Sequence, residues 1–331
     1  MKIGLSLPNR GVLFGAISVD EILELSEIAD RTEAFDSVWV GDSLIAKPRL
    51  EAVATLSAIA ARTTRVRLGT ACMASFVYRN PIIFAIQWAT LDVLSRGRAL
   101  LCACMGASGG EGMGEARNEV QVLGFHPKER VSRFEEGIEV VRRLLNEAPV
   151  THAGAHYRFE DLTLEPRPVQ RPLPVWVANE PNLDKPDLAD RQCRRVASLG
   201  DGWMTDGGPT PAVFAARWQL LSHHLRHAGR DPNAFPTSYH MMININDDAR
   251  RAWDDGVGFL TRYYGPLRDD FLRIWLAAGP AEDVAARIQA YVDAGCRLPI
   301  LRFAAWDAPV QIRRFLDAVY PRLKAAPATP A

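Results

Sequence analysis

The chain has 331 residues, room for one large barrel or two ordinary domains, and its 48% hydrophobic and 24% charged content suits a globular protein with a sizeable core. Lysine plus arginine, 39, equal aspartate plus glutamate, 39, so no net charge argues for nucleic acid or an anionic membrane as partner. No stretch approaches the roughly 20 apolar residues of a bilayer-spanning helix. The first residues do not read as a leader, and the five cysteines have neither Cys-x-x-Cys nor metal-ligand spacing. Reduced, mostly buried thiols and a cytoplasmic address are therefore expected.

Lys2 to Pro8 is a short β-prone run closed by proline. Ser18-Val19-Asp20-Glu21 then reads as a capping box, and Ile22, Leu25 and Ala29 recur at helical spacing. Ser37 to Asp42 is the second strand. A helix over residues 50–64 leads to a third strand, Val66 to Met73. Pro81 opens a helix that ends near Arg96-Gly97-Arg98, and Ala99 to Met105 is strand four. A glycine-rich stretch follows over residues 106–114. Beyond it Val131, Phe134, Ile138, Val141 and Leu145 form an i, i+3, i+4 stripe. Residues 150–166 read as a β-hairpin excursion. Alternation resumes with Val175 to Ala178, a helix over 184–199, a short strand from Gly202 to Thr205, and a helix from Pro211 to His227. Ser238 to Ile245 is strand seven, followed by a helix over 247–264 and a second insertion over 265–279. A helix over 280–294, capped by Gly295, precedes strand eight, Leu298 to Phe303. A helix over 309–323 finishes residues 1–324 as one domain, and residues 325–331 read as a frayed tail.

Eight strands alternating with helices predict an α/β fold, a (β/α)8 TIM barrel with insertions after strands four and seven. A doubly wound sheet would need GxGxxG after strand one, and Asn9 to Gly15 does not supply it. In such a barrel the carboxyl ends of the strands build the site. That rule selects Asp42, Ser75, Cys104, Gly106, Asn179, Glu180, Asp206, Asn246 and Arg302 with their neighbours. Cys102 and Cys104 share a strand face and read best as small core residues. His223, His224 and His227 share a solvated helix face, and His240 is expected near the amino end of its strand. His126, before Pro127, is the histidine to test as acid or base, against a helix-start role. No lysine sits at a strand end for Schiff-base chemistry, no histidine cluster offers a metal site, and a GxSxG elbow is absent.

Several short words lie in one order along the chain: Phe35 to Asp42, Arg67-Leu68-Gly69-Thr70, Asn80-Pro81 and Ala89 to Arg98. His156-Tyr157-Arg158-Phe159, Pro166 to Gln170, Pro174 to Ala178 and Leu199 to Trp203 continue it. In this order the chain resembles the bacterial luciferase-like family of flavin- and deazaflavin-dependent oxidoreductases. The resemblance implies a tricyclic ring over the barrel mouth, with its ribityl phosphate near Asn179-Glu180-Pro181-Asn182 and near Gly200, Asp201 and Gly202. It also implies a non-proline cis peptide after strand three, matching Ser75-Phe76, and a cover formed by Tyr157-Arg158. Gly114 to Glu119 is similar to a deazaflavin-contacting motif of sugar-phosphate dehydrogenases, at a longer offset from its strand. Two departures stand out: Ser43 follows Asp42 where many relatives carry histidine, and Asn179-Glu180 replaces Gly-Gly.

The leading expectation is a monooxygenase using reduced FMN and oxygen on a small organic substrate, with a separate flavin reductase as electron source. The second is hydride transfer with the deazaflavin coenzyme F420. A third, of another class, is a flavin-binding barrel without turnover. Asp42 and His126 are the candidate catalytic groups, no metal is expected, and dimers are common among relatives.

Overall fold

In a computed structural model, residues 1–106 and 119–325 are described. The glycine-rich stretch beyond Gly106, residues 114–118 of the second motif, and the tail beyond residue 325 lie outside them. The barrel strands are β1 (Ile3–Leu7), β2 (Phe35–Val40), β3 (Arg67–Thr70), β4 (Ala99–Ala103), β7 (Val175–Ala178), β8 (Trp203–Asp206), β9 (Thr237–Ile245) and β11 (Leu298–Phe303). They pair in parallel in that order, and β11 on β1 closes the ring. β5 (Val150–Ala153) and β6 (Arg158–Leu162) form the antiparallel hairpin.

Helices α1 (Val19–Arg31), α2 (Ala52–Arg62), α3 (Pro81–Leu94), α4 (Arg130–Asn146), α5 (Pro186–Leu199), α6 (Pro211–His227), α7 (Ala249–Tyr264), α9 (Ala281–Asp293) and α10 (Ala308–Arg314) pack outside. Their starts follow local chemistry. Ser18 and Glu21 complete the reciprocal capping box of α1, an arrangement worth about 1 kcal/mol. The Asn80 side chain accepts from the N–H groups of Ile82 and Ile83 ahead of Pro81. Among the described residues no helix is long and apolar enough to cross a membrane.

Alternation along each strand divides the core in two. Outward residues such as Leu5, Val38 and Val177 pack under the helices, while Trp39, Leu100, Cys102, Trp176, Met204 and Ile300 fill the barrel. Trp39 dictates its neighbour. A Cβ on Gly69 would lie 2.5 Å from the indole, so the bulk of Trp39 needs glycine beside it.

The segment over 265–279 is more ordered than a bare insertion. It folds as α8 (Asp269–Trp275) and β10 (Leu276–Gly279), and β10 pairs in parallel with Met242 to Ile245, the upper half of β9. The long β9 therefore rises past its neighbours and carries an extra strand on its edge.

Candidate functional site

A cavity of about 610 Å³ opens over the carboxyl ends of β3, β4, β7 and β8, a size suited to a cofactor or small ligand. Cys72 and Ala74 line it after β3, and Cys104, Met105 and Gly106 after β4. Asn179, Glu180, Met204 and Thr205 form the wall from β7 and β8, while Phe271 and Trp275 of α8 close the far side. Gly106 has φ +67, and a Cβ there would meet the Ala74 carbonyl oxygen at 2.8 Å. Glycine is needed for that backbone to pass so close.

Two residues that border this cavity each hold a buried polar atom with no partner within the protein, Asn179 Nδ2 and Thr205 Oγ1. Asn179 is 8% exposed and Thr205 2%. An orphaned buried donor costs about 1–3 kcal/mol unless a ligand satisfies it. The backbone around them is fixed: Trp203 Nε1 donates to Asn179 O at 2.9 Å, and Asn179 N donates to Met204 O at 3.0 Å. A flavin or deazaflavin ring carries carbonyl acceptors and an imide N–H along one edge. An amide donor and a hydroxyl on residues that border a cavity also lined by Met105, Met204 and Trp275 suit such an edge.

The expected residues divide around this cavity. Cys104, Gly106, Asn179 and Glu180 are brought together on its wall. Asp42 lies one layer behind. Its Oδ2 accepts from Ser75 N at 2.7 Å, and Arg79 stands 3.6 Å from Oδ1. Burial pushes the Asp42 carboxyl above its usual range, with the Ser75 N–H and Arg79 opposing that rise. Ser75 Oγ accepts from Arg79 Nε at 2.7 Å. Asp42 thus joins the loop after β2 to the loop after β3. Phe76 faces the helices, edge-on to Phe84 and Phe134 at 5.5 and 5.7 Å. Tyr157 lies off the cavity wall in the hairpin, where its N–H donates to Glu136 Oε1 at 2.8 Å. His126 is exposed and caps a turn, its Nδ1 accepting from Lys128 N at 3.2 Å. Glu119, the described end of the 114–119 motif, is buried and accepts from Leu44 N and Ile45 N, both at 3.1 Å.

Four expectations are corrected. The non-proline cis peptide is Ala71–Cys72, not Ser75-Phe76. The Ser75-Phe76 bond opens a tight turn in which Phe76 N donates to Met73 O at 3.3 Å. Gly200, Asp201 and Gly202 do not approach the cavity. Residues that precede a parallel strand sit at its amino end, and here Asp201 N donates to Val175 O at the start of β7. Arg142 holds the Asp201 carboxylate at 2.6 and 3.1 Å. His240 is not remote from the mouth. The stagger of a closed barrel sets it level with Asp206, the last residue of β8. There its Nε2 meets Ser6 Oγ at 3.1 Å, and Arg302 donates to the same oxygen at 2.7 Å. Nor are all the cysteines reduced: Cys72 and Cys104 form a disulfide, while Cys102, Cys193 and Cys296 are buried thiols outside any disulfide.

Of the other strand-end residues, Asn246 N donates to Gly279 O at 3.0 Å and so belongs to the β10 connection. Arg302 donates to Tyr264 Oη at 2.6 Å on the opposite side of the mouth. Sequence reasoning missed Thr205, Cys72, Phe271 and Trp275. Thr205 was within reach of the strand-end rule, one residue before Asp206. Cys72 needed the β3–β4 register.

A family model described as luciferase-like monooxygenase matches residues 1–266. An F420-dependent glucose-6-phosphate dehydrogenase from Kineococcus radiotolerans is 26% identical over 91% of this chain and 93% of its own. The Amycolatopsis mediterranei protein of the same name is 27% identical over 91% and 95%. Among solved structures, the monooxygenase RslO1 from Streptomyces bottropensis superposes with a TM-score of 0.82 at 24% identity, covering 97% of this chain and 99% of that one. An F420-dependent secondary alcohol dehydrogenase, in complex with an F420–acetone adduct, gives 0.79 at 19% over 98% of each chain. These two likenesses concern the fold.

Proposed function

Since the chain belongs to the luciferase-like monooxygenase family, we propose that it is an oxidoreductase whose cavity takes the deazaflavin ring of coenzyme F420 for hydride transfer to or from a small organic substrate. The observation that carries this reading is the pair of unpartnered buried groups, Asn179 Nδ2 and Thr205 Oγ1, on two residues that border the cavity. Relatives that align over nine-tenths of the chain and bear the F420-dependent name support the deazaflavin over FMN.

When bound, the deazaflavin supplies a two-electron hydride donor or acceptor. The chain's own residues do the rest. Asn179 and Thr205 would supply a donor and a hydroxyl to the polar edge of the ring. Met105 and Met204 would offer it polarizable sulfurs that adapt to its shape. Phe271 and Trp275, which also line the cavity, would keep water from it. A base must hold the substrate proton, and Ser43 cannot do so where relatives carry histidine. Glu180, the carboxylate on this wall, takes that role through its Oε atoms.

A second reading is oxygenation with reduced FMN delivered by a separate reductase. Ser43 favours it, because oxygen chemistry on the ring does not require a base at that position. Fluorescence titration of the purified protein with each cofactor decides. F420 binding in preference to FMN supports the first reading, and the reverse supports the second. Failure of both to bind removes the function altogether.

A further inference from the structure

Cys72 and Cys104 are the two cysteines that border the cavity, and they are bonded to each other across the ends of β3 and β4. A bond placed only for strength would be redundant there. Met73 N already donates to Cys102 O at 2.8 Å, Thr70 Oγ1 donates to Cys102 O at 3.1 Å, and a bridge joins Met73 to Ala103. The remaining thiols are of a different kind. Cys193 and Cys296 are shut in the core, and burial raises each to about 12, which leaves them inert at neutral pH. Cys72 and Cys104 are half-buried and face the space where the ring is proposed to lie. Ala74, Met105 and Ala178 line the same cavity beside them.

We propose that the Cys72–Cys104 disulfide is a redox-active site, which takes two electrons from the reduced ring in the same cavity and passes them to a small disulfide entering from the mouth. In the first half, a hydride moves from the dihydro-deazaflavin to one Sγ, the S–S bond breaks, and the second sulfur leaves as a thiolate that takes a proton from solvent. The products are the oxidised ring and two thiols. In the second half, one cysteine thiolate attacks the incoming disulfide and releases its first thiol. The other cysteine then attacks the mixed disulfide, restores Cys72–Cys104 and releases the second thiol. Electrons balance, two in and two out. This activity rests on the ring-binding reading for its electron source.

The test is anaerobic addition of one equivalent of reduced F420 to the purified protein, followed by alkylation and peptide mass spectrometry, with binding followed separately by fluorescence. The expected result is two new alkylated sites, Cys72 and Cys104, together with return of oxidised-F420 absorbance. Oxidised glutathione, the probe disulfide, should then close the bond and yield two equivalents of free thiol. Cys72→Ser and Cys104→Ser should show no cofactor-dependent change in alkylation. Binding without new alkylation overturns the redox site and leaves the proposed function standing. Absence of binding overturns both. Cys72 and Cys104 already alkylated before reductant is added, or no exchange with oxidised glutathione, overturns the redox site alone.

Discussion

At the amino end of the barrel, Asp201, Asp30, Asp92 and Arg98 all have partners within the protein. Asp201 takes the Arg142 fork and the Val175 N–H. Asp30 accepts from the N–H groups of Thr64, Arg65 and Val66, and Asp92 from Gln170. Arg98 donates to the carbonyls of Thr63 and Val66 at 2.7 Å each. At the carboxyl end, Asn179 and Thr205 keep buried donors unspent, Gly106 leaves backbone bare, and a disulfide faces open space. Saturated polar groups stabilise a connection and leave nothing for a ligand. Unsaturated ones weaken the empty protein and are repaid on binding.

Substitutions can break this contrast. Asp201→Ala should cost the most, about 2 kcal/mol of stability, because it leaves the Val175 N–H without its acceptor and removes the carboxylate from the partly exposed Arg142 fork. Chemical denaturation should show the loss while the affinity for F420 stays unchanged. An affinity change of tenfold or more would mean that the amino end reaches the site after all.

Asn179→Ala should do the opposite. Removing an orphaned donor should leave the cofactor-free protein as stable as before, or more so by about 1 kcal/mol. Binding should weaken about tenfold, roughly 1.4 kcal/mol. Parallel melting and titration curves check both halves, and a large drop in melting temperature would place Asn179 among the structural residues.

Asp42 tests the layer between. Its folded pKa is raised above the ordinary 3.8. The folded state therefore holds the proton more tightly than the unfolded chain. The stability tied to that proton is fully present below the ordinary value and is lost as pH rises through the folded one. Asp42→Asn, which can still accept from Ser75 N, should gain melting temperature over the parent at pH 7 relative to pH 4. A pH-independent difference would mean that the Ser75 N–H and Arg79 cancel burial, and a reversed one that they outweigh it.

The smallest effect should come from Arg250→Ala. Arg250 lies 3.8 Å from Asp254 in full solvent at the start of α7, with side-chain exposures of 91% and 66%. A change within about 0.5 kcal/mol is expected. A larger one would show that position at this end, rather than burial, governs the energetics.

The sequence carried the barrel because each βα unit writes its own signal. The Ser18–Glu21 box, the Pro81 start after Asn80 and the short strand runs from Ile3 to Phe303 are local features, and each has its counterpart in the fold with ends shifted by a few residues. The strand-end rule likewise reached Cys104, Gly106, Asn179 and Glu180. The failures needed register or direction. Leu68 pairs with Ala99 and Gly69 with Leu100, an offset that sets Cys72 beside Cys104 although 32 residues separate them. His240 was misplaced because strand stagger is invisible in composition. Gly200-Asp201-Gly202 was misplaced for another reason. Its words matched, but a turn that enters a strand lies at the far end from one that leaves it.

The ladder between β9 and β10 has a bearing on how such a protein changes over generations. Trp275 reaches the rim from a helix whose next residue, Leu276, is already locked to Met242, and its indole donates to the His240 carbonyl at 2.9 Å. The collar around the opening is thus bolted to the sheet by main chain, whatever side chains it bears. Residues such as Phe271 and Leu267 are free to drift, admitting one molecule and refusing another, while the eight staves beneath keep their shape.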